Sequence, residues 1–297
     1  MKDELKTWVE KHPELVRIKE YEKYPGLFVL KYHRRVFYDN LWGEHPLLVD
    51  MRGTVVDEDF NPIIMPFRKI FNQYENDTNI PRDEIVIASR KVNGFMGAVT
   101  FYEGKTYYST TGSLDSMYVT YLRDIMAGYD FKPLDHATWL FEIVHPRDPH
   151  VIPEDIGAYL LGVRYPKWGE DLNKNRDQRW LDLVAQQVGF KRPNWKKIRF
   201  SDLCKEVKTC KHEGYVVYGK DTDLKIKSPY YKVTKLFGRV TPRKLEVMLD
   251  NPKAMKQQLD EEYYPLVDHL VKHRAMFYSL SEQAKFEYIR SFLNEQR

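Results

Sequence analysis

Residues 85–102 read IVIASRKVNGFMGAVTFY, two strand-like segments joined by the four residues KVNG. Between Phe95 and Tyr102 the residues at odd positions alternate with those at even positions as two separate sets, and this period of two predicts a β-strand. The tripeptide EGK at 103–105 then predicts a turn into a partner strand over 106–110. This hairpin is the first indication of an antiparallel sheet.

Strand-like segments continue on both sides of the hairpin. Apolar residues that recur at spacings of three and four predict a helix over 114–125, and other helices are expected at 1–12 and near 179–188. Composition and alternation predict further strands over 27–31, 53–56, 62–67, 85–88, 139–144, 159–165, 215–218 and 224–227. Many strands with few helices between them predict an α+β fold that is mainly antiparallel.

The last part of the chain has no strand-like run. Thr241 precedes a proline, which has the form of a helix N-cap with proline at the first helical position. Ser279 and Glu282 have the spacing of a capping box. We therefore predict a first domain over 1–236 and a small all-helical domain over 237–297.

The composition is that of a folded protein. Of the 297 residues, 42% are apolar and 14% aromatic, and the net charge of +4 neither requires nor excludes a nucleic-acid partner. Cys204 and Cys210 are too few for a disulfide framework, and with His212 they lack the spacing of a structural zinc site. We see no secretory leader and no apolar run that could cross a membrane. A cytoplasmic monomer without membrane association is expected.

The lysine of the KVNG segment is the first candidate for chemistry. Lys91 stands between two predicted strands that would hold its amine in place, and Gly94 would let a bulky ligand approach the backbone. The same four residues taken alone are far more often an exposed turn than a catalytic site. The order of the other segments along the chain favours chemistry.

Six further segments accompany Lys91 in a recognisable order. They are RG at 52–53, PFRKIFN at 66–72, TGS at 111–113, FEIV at 141–144, HEGYVV at 212–217 and LKIK at 224–227. The series resembles the nucleotidyltransferase motifs of ATP-dependent polynucleotide ligases, and most closely those of the phage RNA ligase 1 family. The adenylyltransferase core of that family is shared with fungal tRNA ligases. The resemblance, over about 50–235, implies an antiparallel-sheet nucleotidyltransferase core of the ATP-grasp-like ligase type.

The resemblance implies catalytic roles for four residues around the α-phosphate of ATP. Lys91 would be the nucleophile that takes up AMP. Lys225 and Lys227, two apart on one predicted strand, would contact the α-phosphate and lower the pKa of Lys91. Glu213 would bind Mg²⁺ or Mn²⁺, which prefer oxygen ligands. The alternative for the two lysines is an ordinary solvated strand.

The other matches receive binding roles from the same resemblance. Arg52 and Lys69 would neutralise the β- and γ-phosphates of ATP. Phe71 would lie near the nucleotide, although an aromatic residue on a strand is nearly as often part of a core. Glu142 would contact the ribose hydroxyls or support Lys91, unless it forms a structural ion pair with a neighbouring cation.

Two positions depart from the ligase pattern. Asn93 stands where many of these ligases have aspartate, so the site has one charge fewer, although an amide can still form hydrogen bonds. We retain Asn93 and Gly94 among the nucleotide-binding residues. Thr111 stands where the RNA ligase 1 pattern often has a basic residue before the glycine, so this loop would bind phosphate through hydroxyl groups. The basic residues of 191–199 are a candidate RNA contact, although such runs are usually only solvated.

The preferred hypothesis is an ATP-dependent RNA ligase that joins RNA 3′-hydroxyl and 5′-phosphate ends. It would use ATP with Mg²⁺ or Mn²⁺ and pass through lysyl-AMP and adenylated RNA. A catalytically silent RNA-binding protein with a retained nucleotide cleft is the alternative outside the enzyme class. A DNA ligase or capping enzyme shares the lysine chemistry but usually adds an OB-fold, whereas 237–297 is predicted to be helical. If the chain is viral, as the phage family implies, the expected location is the host cytoplasm.

Overall fold

The structure is a computed structural model that describes residues 2–132, 136–169 and 177–295. The chain forms two compact units. The first unit comprises Met1–Val36, Asn40–Ile70 and Val92–Trp195, and the second comprises Phe37–Asp39, Phe71–Lys91 and Lys196–Arg297. The sequence-based boundary at 236/237 stays a prediction, and the helical segment itself begins earlier, at Pro229.

Thirteen strands and eleven α-helices lie in the described ranges. The strands are β1 (Val16–Tyr21), β2 (Tyr24–Tyr32), β3 (Arg52–Val56), β4 (Pro62–Ile64), β5 (Phe71–Asn72), β6 (Ile85–Arg90), β7 (Phe95–Tyr102), β8 (Lys105–Thr110), β9 (Thr138–Val144), β10 (Gly157–Arg164), β11 (Trp195–Arg199), β12 (Gly214–Tyr218) and β13 (Asp223–Lys227). The helices are α1 (Lys2–Lys11), α2 (Arg35–Tyr38), α3 (Met117–Met126), α4 (Gln178–Val188), α5 (Phe200–Val207), α6 (Pro229–Phe237), α7 (Pro242–Met248), α8 (Pro252–Gln258), α9 (Tyr264–Lys272), α10 (Arg274–Ser279) and α11 (Glu282–Glu295). Short 3₁₀ turns cover Leu41–Glu44, Leu48–Asp50, Glu75–Asp77 and Glu261–Tyr263.

The first unit contains two four-stranded antiparallel sheets, in the orders β1-β2-β3-β4 and β10-β9-β7-β8. Strand β7, which has the alternating pattern, places side chains on both faces of the second sheet. Ala98 on β7 packs against side chains of the first sheet, such as Val55, whereas Val99 joins the cluster that includes Leu122 of α3 and Leu181 of α4. The period of two in the sequence therefore places the second sheet between the first sheet and the helices.

A buried charge network stabilises the first unit next to β3. Asp50 is fully buried and accepts hydrogen bonds from both Arg68 and Arg164, with Nη2 of Arg164 at 2.7 Å. Arg164 also donates to the carbonyl oxygen of Pro66 at 2.6 Å. Because a buried carboxylate is stable only when it is paired, this network fixes the chain on either side of β3.

The second unit contains a five-stranded sheet in the order β11-β6-β12-β13-β5, in which β5 runs parallel to β13. Buried residues of β6, β12 and β13 pack against Phe200, Leu203 and Val207 of α5. The strands predicted at 85–88, 215–218 and 224–227 are thus confirmed as the centre of one sheet. The short parallel pair with β5 brings the segment after Phe71 next to β13.

The helices of the second unit have a core of their own, which includes Leu236, Leu266 and Leu293. Thr241 caps α7 as predicted, since its side chain accepts a hydrogen bond from the amide of Lys244. The capping box predicted at 279–282 is wrong. Ser279 ends α10, and the hydroxyl of Ser281 accepts from the amide of Ala284 at the start of α11.

Six helices and strands escaped sequence analysis, namely β1, α2, β5, β11, α5 and α6. The segment 191–199, expected to be a basic connector, carries β11 and several structural contacts. Arg192 pairs with Asp182 at 2.8 Å, and Lys196 pairs with Glu206 at 2.5 Å. These two side chains are therefore committed to the fold and are weak candidates for RNA contact. The α+β, mainly antiparallel fold itself is confirmed.

None of the helices in the described ranges is both long and apolar enough to cross a membrane.

Candidate active site

Lys91 directly follows β6 in the second unit. Its amide donates a hydrogen bond of 2.9 Å to the carbonyl oxygen of Gly214, the first residue of β12. Gly214 has a φ of +133°, and a Cβ atom there would lie 2.8 Å from Cα of Lys227. Only glycine tolerates this close approach of β13. The glycine after Glu213 therefore holds Lys91, Glu213 and Lys227 together.

Glu213 lies between the amines of two lysines. Its Oε2 is 3.1 Å from Nζ of Lys91, and its Oε1 is 3.8 Å from Nζ of Lys227. The Glu213 side chain is 2% exposed, whereas the Lys91 side chain keeps 21% of its surface accessible. A buried carboxylate thus fixes an amine that a ligand can still reach. The structure brings together Lys91, Glu213 and Lys227, three of the four residues for which the resemblance implies catalytic roles.

Lys225 and Lys227 alternate along β13 as expected, and each contacts a carboxylate. Lys227 forms an ion pair of 2.8 Å with Glu262, and Nζ of Lys225 is 3.6 Å from Oε1 of Glu261. Burial alone would lower the pKa of Lys227, but the charges of Glu262 and Glu213 outweigh it, and the pKa lies above its ordinary value. The two carboxylates therefore favour the charged form of the Lys227 amine.

The 3₁₀ turn Glu261–Tyr263 was missed by sequence analysis. Burial would raise the pKa of Glu262, yet the ammonium groups of Lys227 and Lys235 lower the pKa to about 2. Nζ of Lys235 lies 3.2 Å from Glu262 and 2.7 Å from Asp260. The only sequence signal was the acidic triplet DEE at 260–262, which has no distinguishing pattern in a charged chain.

The aromatic ring of Tyr231 lies beside this cluster. Nζ of Lys227 is 5.5 Å from the centre of the ring, and Nζ of Lys235 is 5.2 Å from it. Contact with a ring face adds to the attraction that holds an ammonium group. Burial also lowers the pKa of the adjacent Lys232 to about 8. Lys232 therefore loses its proton more readily than Lys227 or Lys235 does.

Asn93, Gly94 and Glu142 lie in the first unit, where each makes a structural contact. The side chain of Asn93 accepts a hydrogen bond of 3.0 Å from the amide of Ile152. The amide of Gly94 donates to Glu142 at 3.2 Å. A Cβ atom at Gly94 would clash with the carbonyl oxygen of Ile143. Close strand packing therefore explains this glycine.

Arg52, Lys69 and Phe71 have separate surroundings. Arg52 begins β3, and its Nη1 lies 3.6 Å from the sulfur of Met96. Lys69 is buried, with its amine 5.8 Å from the centre of the Trp42 ring. Phe71 is half-buried on β5 in the second unit, opposite Leu224. Their roles toward ATP stay predictions.

The residues of this site fit a divalent cation only when phosphate supplies some of its ligands. Within the described ranges no group of three or more His, Cys, Asp or Glu residues could hold a metal ion. Mg²⁺ is nevertheless commonly bound by one or two carboxylates together with phosphate oxygens and water. Glu213, whose two oxygens face Lys91 and Lys227, offers one such carboxylate. The residues present therefore fit a cation that arrives with phosphate.

Comparison with known proteins identifies the fold. No protein-family model matches the sequence, and no curated protein matches it. Among solved structures, a putative ATP-dependent DNA ligase from Aquifex aeolicus is similar over 99% of this chain and 77% of its own, with a TM-score of 0.57 and 15% identity. Two structures of an archaeal ATP-dependent RNA ligase are similar over 98% and 97% of this chain and 74% of theirs, with TM-scores of 0.57 and 0.56 and identities of 14% and 13%.

At these identities the likeness concerns the fold. The chain has the nucleotidyltransferase fold found in ATP-dependent ligases of DNA and RNA.

Proposed function

We propose that this protein is an ATP-dependent RNA ligase that joins 3′-hydroxyl and 5′-phosphate ends. The observation that carries the proposal is the contact of Lys91 with the buried Glu213, next to Lys227, in a fold that ATP-dependent ligases share. An accessible amine held by a buried carboxylate beside a second ammonium group suits attack on a phosphate. An exposed turn lysine would have none of these partners.

In the first step Nζ of Lys91 attacks the α-phosphorus of ATP. A nitrogen–phosphorus bond forms, the bond to the β-phosphate breaks, and pyrophosphate leaves. The attacking amine must first lose a proton to solvent, and Oε2 of Glu213 at 3.1 Å holds that amine in position. Lys225 and Lys227 would neutralise the charge that develops on the phosphoryl oxygens.

The remaining residues act on binding in this proposal. Glu213 would hold Mg²⁺ or Mn²⁺, which when bound neutralises phosphate charge. Arg52 and Lys69 would neutralise the β- and γ-phosphates, and Phe71, Asn93, Gly94 and Glu142 would contact the nucleoside. These roles come from the resemblance to ligases. AMP then passes to the RNA 5′-phosphate, and the RNA 3′-hydroxyl displaces AMP to form the phosphodiester.

The choice of RNA over DNA rests on the resemblance of the motifs to those of RNA ligases and on the helices that follow β13. DNA ligases and capping enzymes usually carry an OB-fold after the last motif, whereas the residues after β13 form helices α6 to α11 with a core of their own. Membership of the phage RNA ligase 1 family, and with it the host cytoplasm, stays a prediction from the motifs. The ligases of similar structure include both substrate classes.

Covalent labelling tests the proposal. The protein is incubated with α-labelled ATP and Mg²⁺ or Mn²⁺, denatured and washed, and we expect label to remain on the wild type and to be absent from Lys91→Ala. Lys208→Ala, which removes an exposed lysine at the end of α5, is the matched control and should keep the label. Label that persists in Lys91→Ala would assign the nucleophile to another residue.

A second candidate is an RNA-binding protein that retains the fold without the reaction. The contacts of Lys225 and Lys227 with Glu261 and Glu262 favour it, because both amines are already paired. The hydrogen bond that the Asn93 side chain accepts from the amide of Ile152 also favours this candidate, because it occupies a group that would otherwise bind the nucleotide. This candidate predicts binding of RNA with no covalent label in the wild type.

A further inference from the structure

A row of three cations crosses the first sheet of the first unit. Arg17 on β1 lies opposite Lys31 on β2, and Lys31 lies opposite Arg52 on β3. Residues directly opposite on antiparallel strands have their side chains on the same face, with Cβ atoms about 5 Å apart. The pairing of β2 with β3 has a register shift between Leu30 and Lys31, and the charges of Arg52 and Arg17 both act on Lys31. We call these three residues on three adjacent strands the cationic row.

The cationic row is electrostatically unfavourable by itself. Like charges directly opposite on neighbouring strands destabilise a sheet, and none of the three residues forms an ion pair with another residue in the described ranges. Burial of the amine, followed by the charges of Arg52, Arg17 and Arg34, lowers the pKa of Lys31. No carboxylate is among the causes of that shift. An anion is the missing component of this arrangement.

The cationic row lies at the edge of the core. Val29 and Lys31 are two apart on β2 and share a face, but Val29 is in the core whereas Lys31 is exposed as a residue with its amine partly buried. The face of the sheet thus changes from apolar to cationic within two residues. Such a change is typical of the mouth of a cleft, since cations on a core-facing surface require solvent or a ligand.

Two glycines bring the loop after β8 close to the cationic row. A Cβ atom at Gly112 would lie 2.7 Å from Nζ of Lys31, and a Cβ atom at Gly53, whose φ is +94°, would lie 2.6 Å from the carbonyl carbon of Thr111. Tyr21 fixes the same loop by donating a hydrogen bond of 3.2 Å to the carbonyl oxygen of Gly112. The ammonium group of Lys31 therefore lies beside a loop that carries hydroxyl donors.

We propose that Arg17, Lys31 and Arg52 bind successive phosphates of a polynucleotide strand. The backbones of three adjacent strands span about 10 Å, which suits a chain of separate phosphates better than one compact group. Cations that meet phosphates release counterions, and this contribution dominates non-specific affinity for nucleic acids. The inference rests on the proposed function and extends it: after pyrophosphate has left, Arg52, which neutralises the β- and γ-phosphates in the first step, meets a phosphate of the strand that carries the end to be joined.

Binding of a short single-stranded RNA with a 5′-phosphate, measured by fluorescence anisotropy against salt concentration, tests this inference. We expect Lys31→Gln to weaken binding about fivefold and to reduce the slope of log affinity against log salt by about 0.7, the contribution of one phosphate contact to a single strand. The double variant Arg17→Gln with Lys31→Gln should reduce the slope by about 1.4. Lys31→Arg should restore binding, and Lys105→Gln, which removes an exposed charge at the start of β8, should bind like the wild type.

A parallel measurement with inorganic triphosphate identifies the source of the phosphates. A loss confined to triphosphate would overturn the polynucleotide assignment, as would unchanged RNA binding in the double variant or a wild type that does not bind the RNA. Thermal unfolding of each variant shows whether the variant is still folded. Lys31→Arg, which retains the positive charge, shows whether the charge is what binds the RNA. Covalent labelling of the wild type is measured separately. If the wild type is labelled but substitutions in the cationic row leave RNA binding unchanged, only this inference is rejected. If those substitutions weaken RNA binding but the wild type is not labelled, only the ligase proposal is rejected.

Discussion

The two units of this protein treat their cations in opposite ways. In the second unit Lys91, Lys227 and Lys235 each lie within 3.2 Å of a carboxylate, and the carboxylates of Glu213 and Glu262 are buried. In the cationic row of the first unit no such partner is present among the described residues. Buried charges need an oppositely charged partner from the protein, whereas charges at an accessible edge can be neutralised by a ligand.

Under the proposals made above, this difference gives the two regions different roles. A paired cluster holds its amines in fixed positions before any ligand arrives, which is what a reaction at one phosphorus atom requires. A row of unpaired cations attracts any chain of phosphates and places few constraints on its sequence. Substitutions in the two regions should therefore differ in the property they change: rate and stability in the cluster, affinity and its salt dependence in the row.

The largest expected effect is that of removing the negative charge of Glu213. Glu213→Gln should slow the formation of the covalent lysine adduct about a thousandfold, equivalent to about 4 kcal/mol of activation free energy, because it removes the carboxylate that positions Lys91. Single-turnover labelling with α-labelled ATP measures the rate. The matched control is Glu206→Gln, a carboxylate of the same unit that pairs with Lys196 and Tyr215. A wild-type rate in Glu213→Gln would remove this carboxylate from the mechanism.

A smaller effect, on stability, is expected at the acidic turn. Glu262→Gln removes the carboxylate shared by Lys227 and Lys235, and it should lower the free energy of unfolding by about 2 kcal/mol, since each lysine keeps one further carboxylate. Urea unfolding measures the change. Glu261→Gln, which loses the longer contact of 3.6 Å with Lys225, should cost less than about 1 kcal/mol. Equal costs for the two variants would mean that burial of Glu262 contributes nothing.

The same carboxylate predicts a pH dependence. The pKa of Glu262 is about 2 in the folded protein against 4.5 ordinarily, so its stabilising contribution is fully present above about pH 4.5 and is lost as the pH falls toward 2. The wild type should therefore lose more unfolding free energy between pH 5 and pH 3 than Glu262→Gln does. Chemical unfolding at a series of pH values compares the two proteins. Parallel curves would contradict the assignment.

The smallest effect is expected in the cationic row, and its sign is opposite. Lys31→Gln relieves repulsion from Arg17 and Arg52, so it should raise the free energy of unfolding by about 0.5 kcal/mol in the absence of nucleic acid. Differential scanning calorimetry at low salt measures this gain, which should shrink when salt screens the charges. A destabilised Lys31→Gln would show that Lys31 has a structural partner instead.

Much of the fold was predictable because periodicity is a local property. The alternation at 95–102 predicted β7, which spans Phe95–Tyr102, and the EGK turn predicted its partner β8. The helix predicted over 114–125 begins later, at Met117, since Ser116 is the residue whose side chain caps it. The strand β1 was missed because its residues VRIKEY leave only the two ends buried, a pattern without alternation.

The candidate site was predictable only where it lies on local motifs. Lys91, Glu213 and Lys227 come together because Gly214 follows Glu213 directly and permits the close approach of β13. Glu262 could not be found this way, because it is 35 residues from Lys227 and belongs to no motif. The sequence interpretation also gave Lys225 and Lys227 free positive charges, whereas both contact carboxylates of the 3₁₀ turn.

By itself the sequence determined most of the strands and the antiparallel α+β class, since these follow from spacing within a few residues. The choice of Lys91 as nucleophile came from the order of the motifs and stays a prediction. Only the tertiary structure decided which charges are paired. Ion pairs and cross-strand neighbours depend on register and on where the chain turns back, and no local period encodes those. For that reason Lys31 has no distinguishing feature in the sequence, and becomes notable only between Arg17 and Arg52.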